Sequence, residues 1–228
     1  MAYEFLFLLG LAIALGFKHA YDPDHVVAIS NVITRSDGLK KTSLLSVSWA
    51  LGHMITAAVV TFLLFTFREV FLAQFLASLE IIVVIMLIVI GVVALLWEFN
   101  VFHVHEHWHG LTRHRHHHHH AGTHGAHRTM FSIGIVHGVA SNDELLLLVI
   151  ALGVVASLGG LLATVAVFSV GVVLGMIVFG LALTYPLARW RRKSVRRVAT
   201  IVAAVFSLAY AAFILLGLSL PNPIPSPF

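Results

Sequence analysis

Cysteine is absent from this sequence, and charged residues make up only 11% of it. Without cysteine the chain forms no disulfide framework and no thiolate metal site. Any metal must therefore be held by nitrogen and oxygen ligands, which argues against Cu(I) and structural zinc. A Walker-type G-x-x-x-x-G-K-[ST] motif is also missing, so no segment of the chain indicates ATP-driven activity.

Basic residues are missing from the start of the chain, which instead carries Glu4. A cleaved signal peptide begins with a basic n-region. We therefore expect the N-terminal apolar segment to be retained as a first membrane helix.

Apolar residues dominate what is present: they make up 59% of the 228 residues, and the mean hydropathy is +0.96. These values lie outside the range of soluble proteins. The length accommodates about six spans of roughly 20 residues each. We predict an all-α, polytopic integral membrane protein with about six transmembrane helices. The apolar segments cover residues 4–34, 43–67, 70–99, 130–157, 160–188 and 197–219.

Positive charge is concentrated in the first, third and fifth loops between these segments, whereas the opposite side carries only Arg68. The positive-inside rule places those three loops in the cytoplasm and both termini outside, in the cell (inner or plasma) membrane. Because the basic residues lie in loops beside apolar spans, the formal charge of +4 does not indicate that nucleic acid is a partner. The basic residues are Arg35, Lys40, Lys41, Arg113, Arg115, Arg128, Arg189, Arg191, Arg192, Lys193, Arg196 and Arg197.

The stretch His19–His25 places four ionisable side chains in the middle of the first apolar segment. Such groups within a span usually mark an ion path or a ligand site, and imidazole with carboxylate suits nickel and cobalt. In an unbroken helix the two histidines would lie roughly 9 Å apart along the axis. Because Pro23 disrupts a helix, we predict an unwound turn that draws the ligands together; helix-packing hydrogen bonds are the alternative. The predicted ligands are His19, Asp22, Asp24 and His25.

Two further places in the apolar segments carry polar groups. His53 follows Gly52, which permits close backbone approach, and we predict that His53 is a fifth ligand rather than a packing histidine. Segment four carries adjacent carboxylates, which are not both cheaply ionised in a span. We predict that this group lines the transport path or couples transport to protons; a re-entrant turn is the alternative. Its members are His137, Asn142, Asp143 and Glu144.

Histidine is repeated in the loop between segments three and four. Such tracts bind metal by composition, without fixed geometry, so we predict an accessory metal buffer or sensor. A pH-responsive loop is the alternative, and the alternating histidines also resemble the histidine boxes of membrane di-iron enzymes. The residues are His103, His105, His107, His109, His116, His117, His118, His119 and His120.

A weak internal repeat relates the two halves of the chain. Residues 16–19 (Gly-Phe-Lys-His) are echoed at 134–137 (Gly-Ile-Val-His), and residues 51–55 (Leu-Gly-His-Met-Ile) at 174–177 (Leu-Gly-Met-Ile). Two halves of three spans each insert in opposite directions, as in the inverted repeats of secondary transporters. We predict a first half at 1–102, the histidine-rich loop at 103–128 and a second half at 129–228.

The His-Ala-Tyr-Asp-Pro-Asp-His stretch resembles the His-Ala-x-Asp-Ala-Asp-His signature of the nickel/cobalt transporter family. Leu-Gly-His at 51–53 resembles that family's second motif. The signature lies here in the first span rather than the second, and Pro23 replaces the usual alanine. The chain is thus most similar to the six-span nickel permeases linked with urease and hydrogenase maturation. The resemblance implies that His19, Asp24, His25 and His53 select and bind Ni²⁺ or Co²⁺.

We expect a secondary transporter rather than an enzyme, with Ni²⁺ (or Co²⁺) as substrate and no tightly bound cofactor. The expected partners are the metal ion and the lipid bilayer, together with a second copy of the chain or a cytoplasmic metallochaperone. Uptake through a site near the bilayer midplane is favoured. Efflux by the same kind of protein, or a membrane-embedded metalloenzyme, are the alternatives.

Overall fold

The computed structural model describes residues 2–36, 38–67, 80–99, 123–140, 158–190 and 193–217. All regular structure in these ranges is helical, as predicted, and they contain no strand. The seven helices are α1 (Ala2–His19), α2 (Pro23–Ile33), α3 (Leu39–Phe67), α4 (Glu80–Glu98), α5 (Thr123–Ala140), α6 (Leu158–Trp190) and α7 (Lys193–Leu215).

Four of the described helices, α3, α4, α6 and α7, are long and apolar enough to cross a membrane. The sequence predicts six spans. The first predicted span is divided into α1 and α2. The fourth is described only as far as Ala140, and its first turns are polar, with His127 and Arg128. Neither therefore forms one long apolar helix among the described residues.

The break between α1 and α2 confirms the prediction of an unwound turn at the motif. Pro23 is the first residue of α2, and Asp22 before it has an extended backbone with φ −59° and ψ 141°. Residues that precede proline are driven out of the helical region by the proline ring. Proline itself is well tolerated at a helix start, where its missing N–H would lack a partner anyway.

The outward faces of the helices carry large apolar side chains, and serines are buried inside beside apolar core residues such as Trp49. Ile85 of α4 and Phe206 of α7 are 55% and 61% exposed, whereas Ser46 and Ser207 are fully buried. Soluble proteins rarely expose large continuous apolar surfaces. In lipid, by contrast, helices associate through small residues and interhelical hydrogen bonds. The chain is a multi-pass membrane protein.

Helices α1 and α6 cross in direct backbone contact at two glycines. A Cβ atom on Gly16 would overlap the carbonyl group of Phe168, and a Cβ atom on Gly171 would overlap that of Ile13. Gly171 of α6 contacts Ile13 of α1, and Gly175, one turn later on α6, contacts Ala20, which is also later on α1. The two helices therefore run parallel.

Helices α3 and α5 cross in the same manner. A Cβ atom on Gly134 would overlap the carbonyl group of Trp49, and one on Gly52 would overlap that of Phe131. Gly134 thus takes the place that Gly16 has in the first crossing. Gly52 corresponds to Gly171, whereas the sequence echo pairs it with Gly175, one helical turn later.

The two parallel pairs pack against each other through α3 and α6. The hydroxyls of Thr42 and Thr184 lie 2.9 Å apart, and Gly180 lies against Ser46. Positions therefore rise along α3 as they fall along α6, so these two helices are antiparallel. Consequently α1 and α5, which carry the echoed Gly-x-x-His residues, also run in opposite directions.

The loop after α2 is fastened to α4 and α7. Arg35 donates a hydrogen bond to the carbonyl of Ala94 at 3.0 Å, and Arg196 donates one to the carbonyl of Ser36. Burial lowers the pKa of Arg35, and the negative charge of Glu98 opposes that shift. These contacts hold the end of α2 in a fixed position.

The glycine crossings predict opposite effects for two substitutions on α1. Gly16→Ala inserts a methyl group into the backbone of α6 and should cost about 1–3 kcal/mol. Gly10→Ala, which meets nothing within 4 Å, should be neutral or stabilising by up to about 1 kcal/mol. Thermal unfolding in detergent measures both. Equal melting temperatures for the two variants would contradict the crossing.

Candidate metal site

Four histidines from four helices meet in the interior. His19 ends α1, His25 lies in the first turn of α2, and His53 and His137 lie within α3 and α5. All four are at most 1% exposed. The ring centroid of His25 is 4.8 Å from that of His19, 5.3 Å from that of His53 and 4.8 Å from that of His137. We refer to these four residues as the histidine cluster.

The helix break creates this arrangement by releasing the carbonyl group of His19. In a continuous helix that carbonyl would accept the N–H of residue 23, but Pro23 has none. It accepts instead the N–H of Asp22 and a hydrogen from Nδ1 of His25, each at 3.0 Å. The released carbonyl therefore orients the ring of His25.

The carboxylate of Asp22 orients the ring of His19 from its Nδ1 side. The Nδ1 atom of His19 lies 2.8 Å from Oδ2 of Asp22, so Nδ1 carries the hydrogen and Nε2 has a lone pair. Histidine ligands of metals commonly donate their second N–H to a carboxylate or a carbonyl in this way. Asp22 therefore contacts the Nδ1 side of His19, and His25, whose Nδ1 donates to the carbonyl, also has a lone pair on Nε2.

His53 is a third possible ligand beside His19 and His25. Its Nε2 lies 3.3 Å from Nε2 of His19. Because the hydrogen of His19 is on Nδ1, His53 donates in this contact. Its own Nδ1 is then a buried lone pair with no hydrogen-bond partner among the described residues. A cation placed between these rings would replace the histidine–histidine bond.

Two sets of three side chains are close enough to surround an ion. His19, His25 and His53 form the first, and Asp24, His25 and His137 form the second; within each set the ligand atoms lie within 4.8 Å of one another. His25 is common to both. Oδ2 of Asp24 lies 3.8 Å from Nε2 of His25 and 3.8 Å from Nε2 of His137. The predicted residues thus converge, with His137 in the same cluster.

Trp49 is a central residue of the cluster that the sequence analysis did not identify. Its indole stacks on His53 with ring centroids 5.1 Å apart, and it packs edge-on against His25. Its Nε1–H donates to Nδ1 of His137 at 3.2 Å. The available signal was its position one helical turn before His53, on the same face of α3.

The remaining predicted residues lie outside the part of the chain that the structure describes. Among them are Asn142, Asp143 and Glu144 of segment four. The histidines of the loop are also outside it: His103, His105, His107, His109, His116, His117, His118, His119 and His120. His127, which is described, hydrogen-bonds Ser48 at 2.7 Å and lies about 15 Å from His137 along α5.

A curated relative resembles most of this chain. The urease accessory protein UreH of Bacillus sp. (strain TB-90) is 31% identical over 192 residues, which are 83% of this chain and 82% of the relative. The chain belongs to the family of the urease accessory protein UreH. No family model and no solved structure matches it. Because the match covers 83% of this UreH-family chain, the resemblance extends well beyond the His19–His25 motif.

The cluster predicts Ni²⁺ binding by the purified protein that depends on His53. His53→Ala removes one of three imidazoles and should weaken binding about 10-fold or more, because it deletes a ligand. His127→Ala removes a helical histidine that contacts Ser48 outside the cluster, and it should leave binding at the cluster unchanged. Equilibrium dialysis with ⁶³Ni in detergent measures the affinity, with the histidines of 103–120 replaced by glutamine in the parent and in both variants so that the loop adds no binding. Equal loss in both variants would contradict the site.

Proposed function

We propose that this protein is a secondary transporter that takes up Ni²⁺, with Co²⁺ as a second substrate, rather than an enzyme. The observation that carries the proposal is the first set within the histidine cluster: the imidazoles of His19, His25 and His53, from three helices, with ligand atoms within 4.8 Å of one another in a membrane protein. Such groups are costly in a span and are usually functional.

The choice of ion is supported by the ligands and by the relative. Imidazole and carboxylate suit nickel and cobalt, whereas Cu(I) prefers sulfur. The relative's name connects it with urease, and the His19–His25 stretch resembles the signature of the nickel permeases linked with urease maturation. A chain of the same family therefore fits nickel supply for urease maturation.

The ion binds by exchanging water for protein ligands. It displaces the hydrogen bond between His19 and His53, and His53 then presents a lone pair after its hydrogen moves to the other ring nitrogen. The Nε2 lone pair of His25 is already directed by the His19 carbonyl. Because both backing hydrogen bonds are in place without the ion, little reorganisation of His19 and His25 is required.

Release to the other side follows from relative movement of two helix pairs. Helices α1 and α6 form one pair and α3 and α5 the other, each fixed by close backbone contact at glycines. We propose that they belong to an inverted repeat of three spans plus three, in which each pair contains one helix from each half and the site lies between the two pairs. Rocking of one pair against the other then opens the site alternately. The basic loops face the cytoplasm in this arrangement.

The membrane potential supplies the driving force. A potential negative inside is worth about 2.3 kcal/mol per charge per 100 mV, and the ion carries two charges. Inward movement of Ni²⁺ therefore proceeds without ATP. This sign favours uptake over efflux.

Accumulation of ⁶³Ni in cells tests the proposal. Cells that express the chain should accumulate several-fold more nickel than empty-vector cells, and collapse of the membrane potential should abolish the difference. His25→Ala removes the ligand common to both sets and should return accumulation to the empty-vector level. His127→Ala, at matched expression, should retain the full level.

Other outcomes identify the alternatives. Accumulation below the empty-vector level, restored by His25→Ala, would mean efflux. Equal accumulation in all strains would rule out nickel transport. Iron or zinc retained stoichiometrically after purification would then favour a membrane metalloenzyme.

A further inference from the structure

The hydrogen on the ring of His137 is placed by Trp49. The indole Nε1 is a donor only, so Nδ1 of His137, 3.2 Å away, must accept its hydrogen. A protonated imidazolium has no lone pair to accept with. The backbone of Ile133, one turn earlier on α5, is the competing partner for a hydrogen on the ring. While the indole donates to Nδ1, the ring is neutral and its single hydrogen is on Nε2.

This placement is opposite to that of His19 and His25. Those two rings donate from Nδ1, to Asp22 and to the His19 carbonyl, and have lone pairs on Nε2. A metal ion requires a lone pair. His137 therefore directs an N–H into the cluster, whereas His19 and His25 direct a potential ligand atom.

The N–H of His137 faces the carboxylate of Asp24. Nε2 lies 3.8 Å from Oδ2 of Asp24 and has no hydrogen-bond partner among the described residues. A shift of about 1 Å would bring the two atoms to the length of a charge-assisted hydrogen bond. The indole N–H of Trp49 already donates to Nδ1 of His137, so it needs no other acceptor.

We propose, on the basis of the transport function above, that His137 does not ligate the ion and is instead a positioning residue for Asp24. Its Nε2–H holds Oδ2 of Asp24, which lies 3.8 Å from Nε2 of both His137 and His25, and so keeps the carboxylate beside the ion. Trp49 fixes the ring in this state. The ion is then bound by His19, His25 and His53, with Asp24 as the oxygen ligand.

Nitrogen-15 NMR of the metal-free protein in lipid tests the ring state directly. The protein has 16 histidines, so the His137 signal is identified by its loss in His137→Gln. We expect hydrogen on Nε2 in the wild type and a mixture of both forms in Trp49→Phe. Hydrogen on Nδ1 in the wild type, or no change in Trp49→Phe, would overturn the inference. This measurement does not depend on nickel transport.

Binding of ⁶³Ni to purified variants tests the role. Glutamine places an N–H donor close to the position of the histidine Nε2, so His137→Gln should bind within about 3-fold of wild type. His137→Ala lacks the donor and should bind about 10–100-fold more weakly, the usual effect of removing a group that orients a ligand. Equal loss in both variants would make His137 a ligand and overturn the inference.

The two proposals fail in different ways. A wild-type protein that binds no nickel overturns the proposed function. If the wild type binds nickel but His137→Gln binds it as weakly as His137→Ala does, only the positioning role is overturned. If His137→Ala does not fold, the ring state of the wild type and of Trp49→Phe still decides the question.

Discussion

The missing N–H of Pro23 is the constraint on which the site depends. It ends α1, and it leaves the carbonyl of His19 available to His25 at 3.0 Å. The same break turns two histidines that would be roughly 9 Å apart along a helix into neighbouring rings. The His25 ring gives this carbonyl a second donor beside the N–H of Asp22, so it stabilises the break and is itself oriented by it.

The glycine crossings provide the second requirement, which is close approach of the helices that carry the other histidines. At Gly52 and Gly134 the backbones of α3 and α5 are in contact, and this proximity brings His53 and His137 to the rings of the motif. Trp49 fills the space between these rings and forms hydrogen bonds with one of them. The cluster is thus built by backbone geometry first and by side-chain bonds second.

The sequence was sufficient for the helical membrane class, the break at Pro23 and the grouping of His19, Asp24, His25 and His53, because apolar run length, proline and buried charge are local signals. It did not reveal Trp49, since a tryptophan in an apolar segment is unremarkable until its neighbours in space are known. It placed Asp22 among the predicted ligands but did not reveal its contact with Nδ1 of His19, because spacing alone does not give the direction of a side chain. The helix pairing and the register of the two crossings also depend on contacts between distant segments.

X-ray absorption at the nickel edge of the loaded, purified protein tests the central claim most directly, because imidazole rings give characteristic multiple scattering. We predict three imidazoles and at least one oxygen ligand in the wild type, and two imidazoles in His53→Ala. Four imidazoles in the wild type would show that His137 is a ligand. A shell of oxygen alone, or the same imidazole count in both proteins, would contradict the histidine cluster as the nickel site.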